Sequence, residues 1–481
     1  MMDGHAPGHG QHCAAQAETW RAPGTLPSRP APSLLVMPTD TGARSARPSV
    51  LLLGRDLRVA DHLGLAAAAT ARTCLVLFVL DEQILRLPTT GPNRVAFLLE
   101  SLADLRASLR ARGGELFVRR GDPAALALAA AHAVGARTIH LSADVTSVAR
   151  RRHRALAERC AADGIELVAH AGVAVVDPDA LHPSGGDHYR VFTPYWRAWT
   201  AAPRRQLAPP PDELCAPEGL DPGVLPDLAE LDAGADPVGR HDFAPLGLAA
   251  PSPRRDTGGE GEAWRRLDAF AARGGLADYD AACDDLASDA TARVAAALHF
   301  GCISPRQLEA WALEHADVDR VAGGVGAFVR QLCWRDFFLA VTRSFPAIGR
   351  ADYRPRPVAW RQDPDELDAW KQGRTGVSLV DAAMRQLLDE GFVHNRARLV
   401  ASSYLVKTLR HHWSEGAAHY LYWLSDADVA SNSGNWQWMA GTGNDTRPNR
   451  VLNPERQAKR FDPDGTYRSR YLGPPPWATT H

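Results

Sequence analysis

Five short apolar segments alternate with helical periodicity between residues 50 and 169 of this 481-residue chain. Repeated strand–helix alternation is satisfied by a parallel sheet that is covered by helices on both faces. The predicted strands are Val50–Leu53, Cys74–Leu80, Glu115–Val118, Thr138–Leu141 and Ile165–Ala169. The pattern therefore predicts an α/β domain, and sheets of this kind bind ligands at the carboxyl ends of their strands.

The rest of the chain differs from this segment in composition and periodicity. Residues 1–47 are rich in Gly, Pro, His and Ala, which predicts a disordered N-terminal extension. We assign 48–178 to the α/β domain and 179–260, where Pro, Gly, Ala and Asp accumulate, to an interdomain linker. From 261 to 478 the periodicity is helical almost throughout, so the second domain is predicted to be all-α.

Two of the helices predicted in the second domain carry residues that become important for function. One covers Thr291–Phe300 and ends at a glycine, and the other is a long helix over His394–Trp413.

Several protein classes are excluded by the sequence. No apolar run approaches the roughly 18–20 residues of a membrane helix, and no secretory signal is recognisable. Seven scattered cysteines without a CxxC motif indicate neither a disulfide framework nor a zinc module, so no metal site is expected. Neither a GxGxxG fingerprint nor a phosphate-binding P-loop occurs. We expect a cytoplasmic protein without membrane contact.

Tryptophan is concentrated in the second domain, where nine of the thirteen residues of this type lie between 311 and 477. Some stand among polar residues, as in QLCWRD at 331–336 and NSGNWQW at 432–438. Core packing explains most tryptophans, but rings interleaved with Arg and Asn also suit stacking on a cofactor or on bases. Residues 321–481 hold 21 Lys and Arg against 16 Asp and Glu, which favours a polyanionic partner.

Opposite charges lie in apolar surroundings within the same domain. Asp426 and Asp428 occur in LSDADV, and Arg396 and Arg398 occur in HNRARL. Embedded charges need partners, and Arg with a carboxylate is the pair best suited to a dry environment. Two interpretations stay open: a structural ion pair, or a pair that contacts a ligand.

Longer motifs extend this picture over most of the chain. They are AWKQGRTG (369–376), VDAAMRQ (380–386), HNRARL (394–399), DADVASN (426–432), WQW (436–438), and RDLR (55–58) followed by DH (61–62). In order and spacing these motifs resemble the photolyase/cryptochrome family, and most of all the bacterial cyclobutane pyrimidine dimer photolyases.

The resemblance implies a Rossmann-like antenna domain followed by an all-α domain that binds FAD and DNA. The implied activity is light-driven repair, in which excited reduced FAD gives an electron to a cyclobutane pyrimidine dimer. The implied partner is damaged DNA with a flipped-out dimer, and the protein is expected to be a monomer. The antenna is a folate or a deazaflavin. Two alternatives are a cryptochrome-like blue-light photoreceptor without repair activity and a flavoprotein that works in the dark.

The family's FAD-binding residues are carried over to eleven positions. They are Tyr279, Thr291, Ala292, Arg293, Val294, Ala295, Arg398, Asp426, Ala427, Asp428 and Asn432. The resemblance implies that Arg398 pairs with Asp426 and that Asn432 faces the flavin. Ala292 and Ala295 replace the serines usual in the family, which predicts weaker FAD binding.

The resemblance also implies an electron-transfer chain and a substrate site. The chain is Trp436, Trp413 and Trp360, in order from the flavin outwards. The implied catalytic residues are Gln331, Asn395 and Asn432. The implied DNA and substrate contacts are Trp334, Arg335, Asn395, Arg396, Leu399, Trp438 and Gln457, of which the two tryptophans sandwich the dimer.

Four residues depart from the family's pattern. Gln331 replaces a glutamate, Cys283 an arginine, Leu399 a methionine and Ser433 an asparagine. We expect Gln331 to slow repair without abolishing it, because an amide still donates and accepts hydrogen bonds. Three of the four are expected to line the lesion pocket, which favours a photoreceptor or a different lesion more than an intact pocket would.

Overall fold

A five-stranded sheet lies near the start of the described residues, which are 47–288, 290–315 and 323–473 of this computed structural model. The strands are β1 (Ser49–Leu52), β2 (Cys74–Asp81), β3 (Leu116–Gly121), β4 (Thr138–Ser142) and β5 (Glu166–His170). All neighbours pair in parallel, in the order β3-β2-β1-β4-β5. The predicted α/β fold is confirmed. All but the last residue of the extension predicted at 1–47 lies outside the described residues.

Helices cover both faces of this sheet, as parallel pairing requires. They are α1 (Leu63–Ala68), α2 (Glu82–Leu85), α3 (Pro92–Arg110), α4 (Pro123–Val134) and α5 (Ser147–Ala162). Side-chain caps set where α4 and α5 begin: Asp122 accepts from the Ala124 N–H, and Thr146 accepts from the Ala149 N–H. Because β2 is buried at all eight positions, its sequence is an apolar run from Cys74 to Leu80, rather than an alternating one, and it ends at the buried Asp81.

The segment predicted as a linker, 179–260, packs against both domains. It contains two helices, α6 (Phe192–Ala201) and α7 (Leu228–Asp232). Tyr195, Trp199, Leu214 and Leu231 of this segment are almost fully buried. Its high Pro and Gly content therefore shapes irregular backbone that is anchored by large apolar side chains.

The described residues from 260 onwards form helices and no strands, which confirms the all-α prediction. The helices are α8 (Glu260–Ala272), α9 (Tyr279–Ala282), α10 (Ala295–Phe300), α11 (Pro305–Glu314), α12 (Gly324–Ser344), α13 (Pro364–Lys371), α14 (Ser378–Glu390), α15 (Asn395–Ser403), α16 (Trp413–Trp423), α17 (Val429–Ala440), α18 (Pro454–Phe461) and α19 (Thr466–Leu472). A π-helical turn, Tyr404–Leu409, follows α15 directly.

Two predicted helices were wrong in extent, both for reasons of backbone conformation. The helix predicted over Thr291–Phe300 begins only at Ala295, because Arg293 has a φ of +50° and interrupts the turn. The helix predicted over His394–Trp413 widens into the π-helical turn and ends at Arg410, whose φ is +61°. Side-chain periodicity carries no signal for a positive φ at an arginine.

The two domains meet at the carboxyl end of β1. Arg55 donates from Nε to Asp144 (2.8 Å), which follows β4, and from Nη1 to Asp428 (2.5 Å) of the helical domain. The Leu57 N–H donates to the Phe300 carbonyl at 3.1 Å. Gly301 is required beside this contact, because a Cβ there would lie 2.1 Å from the Arg55 carbonyl oxygen.

Asp336 of α12 anchors a second part of the domain interface. Its Oδ2 accepts from the backbone N–H groups of Val175 (2.9 Å) and Val176 (3.1 Å) and from the Trp199 indole (2.9 Å). Complete burial raises the pKa of this carboxyl to about 6, although these donors and Arg335 favour the ionised form. Three donors from outside α12 thus depend on one buried oxygen.

Replacing Asp336 with alanine should destabilise the fold by about 3 kcal/mol or more, because three buried donors lose their acceptor. Asp336→Asn keeps an acceptor oxygen and should cost less than about 1.5 kcal/mol. Urea unfolding followed by tryptophan fluorescence measures both. Equal losses in the two variants would show that the three hydrogen bonds do not stabilise the interface.

Candidate functional site

A cavity of about 410 Å³ opens in the helical domain between α10, α12, α15 and α17. Eighteen of the twenty-two predicted site residues line it, so the predicted positions converge on one place. They are Tyr279, Thr291, Ala292, Arg293, Val294, Ala295, Gln331, Trp334, Arg335, Asn395, Arg398, Leu399, Asp426, Ala427, Asp428, Asn432, Trp436 and Trp438.

One wall of the cavity is the irregular segment before α10. Arg293 holds a left-handed conformation there, which costs a non-glycine residue about 1–2 kcal/mol. Thr291 belongs to the same wall, and its hydroxyl oxygen is buried and without a hydrogen-bond partner among the described residues. A buried hydroxyl of this kind needs a ligand or water partner.

The opposite wall carries the predicted ion pair. Arg398 donates from Nη2 to Asp426 Oδ2 at 2.8 Å and from Nε to the Val393 carbonyl at 2.7 Å. The second carboxylate oxygen of Asp426 is buried and meets no donor in the part of the chain that the structure describes. The structural ion pair is therefore present, and the contact with a ligand stays a prediction that the unpartnered oxygen of a cavity-lining residue supports.

Asp428 caps the helix that carries most of the remaining site residues. Its Oδ1 accepts from the Ser431 N–H (3.0 Å), and its Oδ2 contacts Arg55 and, at 3.8 Å, His299 Nδ1. Burial alone would raise the pKa of Asp428, but His299 and Arg55 hold it well below the usual range. The carboxylate is therefore ionised, as an N-cap acceptor should be.

Asn432 and Trp436 project from α17 one turn apart and share the face that lines the cavity. The Asn432 side-chain amide donates to the Ala417 carbonyl at 3.0 Å, which fixes its orientation.

The two outer tryptophans of the predicted chain, Trp413 and Trp360, are not among the described residues that line the cavity. Trp413 is fully buried, and its indole donates to Asp352 at 2.7 Å. The ring of His412 lies 5.5 Å from that of Trp413 and 5.2 Å from that of Trp360, which is half-buried. An imidazole between the outer tryptophans was not predicted from the sequence.

The two tryptophans predicted to hold substrate meet edge to face, with ring centroids 5.5 Å apart and planes at 84°. Phe192 of α6 stacks on Trp334 at 3.5 Å with an interplanar angle of 4°, so one face of Trp334 is already covered. The wall formed by Trp334 and Trp438 is therefore supported by the segment 179–260.

Four predicted site residues are not among the described residues that line the cavity: Arg396, Trp413, Trp360 and Gln457. Arg396 is buried, pairs with the cavity-lining Asp284 and lies 4.3 Å over the Phe461 ring. Its guanidinium is thus occupied inside the protein, whereas the resemblance implied a substrate contact.

Arg335 also differs from its predicted role. Its side chain lines the cavity, but its guanidinium donates to the Val173 carbonyl at 2.5 Å, across the domain interface. The expectation that three of the four departing residues line the pocket was wrong, because only Gln331 and Leu399 do. Cys283 and Ser433 are buried elsewhere.

Several lining residues were missed by the sequence analysis. They include His299, Phe392, Tyr420, Asn435 and Met439. Asn435 and Met439 could have been found from the helical spacing of α17, since they lie three and seven residues after Asn432. His299, Phe392 and Tyr420 lie in no motif that the sequence analysis identified.

A second cavity, of about 560 Å³, lies beside the sheet. Its walls are the segments 143–145 and 171–181, which follow β4 and β5, together with Arg150, Arg205 and Arg343. It therefore adjoins the carboxyl ends of the strands, where parallel sheets bind ligands.

Comparison with protein-family models and curated proteins decides the family. Residues 49–216 match the model of DNA photolyase, and residues 328–474 match that of the FAD binding domain of DNA photolyase. The deoxyribodipyrimidine photo-lyase of Streptomyces griseus is 46% identical over 87% of this chain and 88% of its own length. The chain belongs to the DNA photolyase family.

Other relatives and solved structures agree with this photolyase assignment. The cryptochrome DASH of Natronomonas pharaonis is 35% identical over 87% of this chain and 88% of its own. A class III photolyase from Agrobacterium tumefaciens superposes with a TM-score of 0.78 at 30% identity, covering 90% of this chain and 88% of its own. An archaeal photolyase from Sulfolobus tokodaii, described with two FAD molecules, gives 0.72 at 26% identity and covers 88% and 90%.

The first cavity fits the FAD that the matching domain implies. Thr291 and Asp426 supply a buried hydroxyl and a buried carboxylate oxygen that need partners, and FAD carries phosphates and ribitol and ribose hydroxyls. Apolar side chains such as Leu298, Phe338 and Met439 supply surface for a flat ring system.

The described residues contain neither a helix suited to a membrane nor a cluster suited to a metal ion. No helix there has both the length and the apolar character to cross a membrane. No three His, Cys, Asp or Glu side chains there are grouped so that they could hold a metal ion.

His394 makes the stability of this site depend on pH. Its Nδ1 caps α15 by accepting from the Arg396 N–H at 3.2 Å, and burial lowers its pKa to about 4. An unfolded histidine has a pKa of about 6.5, so the unfolded state binds more protons between these values. The stabilisation is fully present above pH 6.5 and is lost as the pH falls towards 4.

In His394→Asn the free energy of unfolding should therefore decrease less between pH 6.5 and 4 than in the wild type, by up to about 3 kcal/mol. Asparagine keeps a capping acceptor and does not titrate there. Urea titrations at pH 7, 5.5 and 4.5 measure this, with the exposed His132→Asn as the control. If His394→Asn loses as much stability on acidification as the wild type, the buried imidazole is not the cause.

Proposed function

We propose that the chain is a deoxyribodipyrimidine photo-lyase that acts as a monomer on DNA with a flipped-out cyclobutane pyrimidine dimer. The observation that carries the proposal is one cavity that is lined both by Thr291 and Asp426, whose unpartnered oxygens fit FAD, and by the aromatic pair Trp334 and Trp438. The relative named for this activity is 46% identical over almost the same length.

In this proposal the residues of the first cavity hold the cofactor. Thr291 and the unpaired oxygen of Asp426 bind its polar groups, and the hydrogen bond from Arg398 holds the Asp426 side chain in place. Asn432, oriented by the Ala417 carbonyl, presents its amide from α17 to the ring system. The chemistry supplied by bound FAD is the light-driven transfer of one electron to the dimer and back.

The substrate side is proposed to be the edge of the cavity around Trp334 and Trp438. A dimer that has left the base stack loses its stacking partners, and aromatic side chains replace them. Gln331 is exposed and Asn395 lines the same cavity, so their amides can donate to and accept from the dimer's carbonyl and N–H groups. These amides would hold the dimer against the aromatic wall.

Trp436, Trp413 and Trp360 are proposed to supply electrons that reduce the flavin before repair. Trp436 lines the cavity, whereas Trp360 is half-buried and can exchange electrons with a reductant in solution. The hydrogen bond from Trp413 to Asp352 favours the positively charged indole that forms when an electron leaves.

The antenna pigment is proposed to bind in or beside the second cavity. The lining of this cavity carries Arg150, Arg205 and Arg343 together with Asp144, Asp177 and Asp179, so its charges are balanced, and its place beside the carboxyl ends of β4 and β5 is what supports the proposal. The Sulfolobus tokodaii photolyase is described with a second FAD in the light-harvesting role, so a flavin is a third candidate class beside a folate and a deazaflavin. Mass spectrometry of the pigments released from purified protein separates the three.

Light-dependent repair tests the proposed activity. The protein is reduced, mixed with an oligonucleotide that contains one thymine dimer, and kept in blue light or in darkness. We expect intact thymines to appear only in light. Bound FAD with unrepaired dimers in both samples would contradict the proposal and favour a blue-light photoreceptor without repair activity.

Gln331→Glu should accelerate dimer repair about fivefold, because a charge-assisted hydrogen bond exceeds a neutral one by about 1 kcal/mol. Single-turnover repair by reduced protein under constant light measures the rate. Gln83→Glu adds the same charge at an exposed position of the α/β domain and should leave the rate unchanged. An unchanged or lower rate in Gln331→Glu would remove this residue from the substrate contacts.

A further inference from the structure

A buried polar cluster adjoins the segment 291–294, the wall of the cavity that is proposed to bind FAD and is called the FAD wall below. Its centre is the guanidinium of Arg293, which donates to Glu390 Oε2 at 2.6 Å and lies 4.3 Å over the Phe392 ring. Asp256, in the segment 179–260, has its Oδ1 3.9 Å from Arg293 Nη1. The cluster thus binds the side chain of the one FAD-wall residue that has a positive φ.

Glu390 is itself held by the last helix of the described chain. The Tyr471 hydroxyl of α19 donates to Glu390 Oε1 at 2.6 Å, and the Gln386 amide donates to Oε2 at 3.2 Å. Burial and the neighbouring Glu390 carboxylate raise the pKa of Tyr471, so the tyrosine is protonated and can donate. Both oxygens of a buried carboxylate are therefore satisfied, and one of them also binds Arg293.

The left-handed conformation of Arg293 needs such support. A non-glycine residue adopts it at a cost in free energy and keeps it only when its surroundings favour it. The conformation lies within the segment 291–294, which lines the cavity before α10 begins and carries the buried, unpartnered Thr291 hydroxyl. Neither Glu390 nor Tyr471 is among the described residues that line the cavity.

We propose that Glu390 and Tyr471 are positioning residues for FAD: they hold Arg293 in its left-handed conformation and thereby keep the Thr291 segment in its binding geometry. The inference rests on the cofactor part of the proposed function and not on repair. It also assigns a role to the C-terminal helix α19, which lies outside the cavity but is joined to its wall through two hydrogen bonds.

The test is the rate at which FAD leaves the full-length protein, measured by flavin fluorescence after dilution in the dark. Glu390→Gln should speed release about tenfold, which corresponds to about 1.4 kcal/mol. Tyr471→Phe removes only one hydroxyl and should speed release about threefold. Glu115→Gln is the matched control, because Glu115 pairs with Arg106 and Arg110 in the α/β domain, far from Arg293.

A second background separates positioning from a general loss of stability. Glycine adopts a positive φ without strain, so in Arg293→Gly the segment no longer depends on the tether. Adding Glu390→Gln to Arg293→Gly should leave FAD release within about twofold of Arg293→Gly alone, as expected when two residues act through each other. If Glu390→Gln speeds release equally in both backgrounds, Glu390 acts through overall stability and the inference is overturned.

The remaining outcomes are also decisive. Release from Glu390→Gln at the wild-type rate would overturn the inference, whatever the protein does with dimers. Because the assay uses no DNA and no light, a failure of repair leaves it intact, so the two hypotheses fail separately. Rapid loss of FAD in the Glu115→Gln control as well would show that any lost ion pair has this effect, which also contradicts the proposal.

Discussion

One guanidinium joins the two domains and fixes the helix on which the site is built. Arg55 lies just after β1 and reaches a carboxylate in each domain, Asp144 at 2.8 Å and Asp428 at 2.5 Å. Burial would lower the pKa of Arg55, but the two carboxylates raise it, so the group stays charged. Three buried charges are tolerable only together, since each would be costly alone. The relative position of sheet and helices is therefore set chemically as well as by packing.

The consequence of this contact runs through α17. Asp428 begins the helix, so the position of its carboxylate determines where the next three turns point. Trp436 then packs against Trp370 and Tyr420, with ring centroids 5.9 Å and 5.1 Å apart, whereas Trp438 meets Trp334. Residues two positions apart on a helix, such as these two tryptophans, face different directions. One short helix thus carries a tryptophan from each of the two proposed sets, Trp436 and Trp438.

The sequence predicted the parts of the fold that depend on periodicity. The predicted ends of all five strands lie within three residues of the observed ends. Short apolar runs between helices have few other conformations that bury them. The convergence of Thr291, Asp426 and Trp334 on one cavity came from the family resemblance, since nothing in their separate surroundings indicates it. The pairing of Arg398 with Asp426 could be anticipated from charge in apolar surroundings and is present at 2.8 Å.

What could not be predicted depends on backbone conformation and long-range packing. The positive φ of Arg293 has no signature in its side chain, so a helix was extended through it. The resemblance implied DNA or substrate contacts for Arg335 and Arg396, and it gave no sign that their guanidiniums bind the Val173 carbonyl and Asp284 within this chain. The segment 179–260 has the composition of a linker but is held by a few buried aromatic residues, among them Trp199.

We propose that two sets of tryptophans meet at one cavity and act in different steps. Trp436, Trp413 and Trp360 reduce the flavin, whereas Trp334 and Trp438 hold the substrate. The most direct test is Trp413→Phe, examined in two assays on the same sample. The account predicts that blue light no longer reduces the oxidised flavin, while chemically reduced protein repairs thymine dimers at the wild-type rate. Loss of repair in the chemically reduced variant, or undiminished photoreduction of the oxidised one, would contradict the division of tasks.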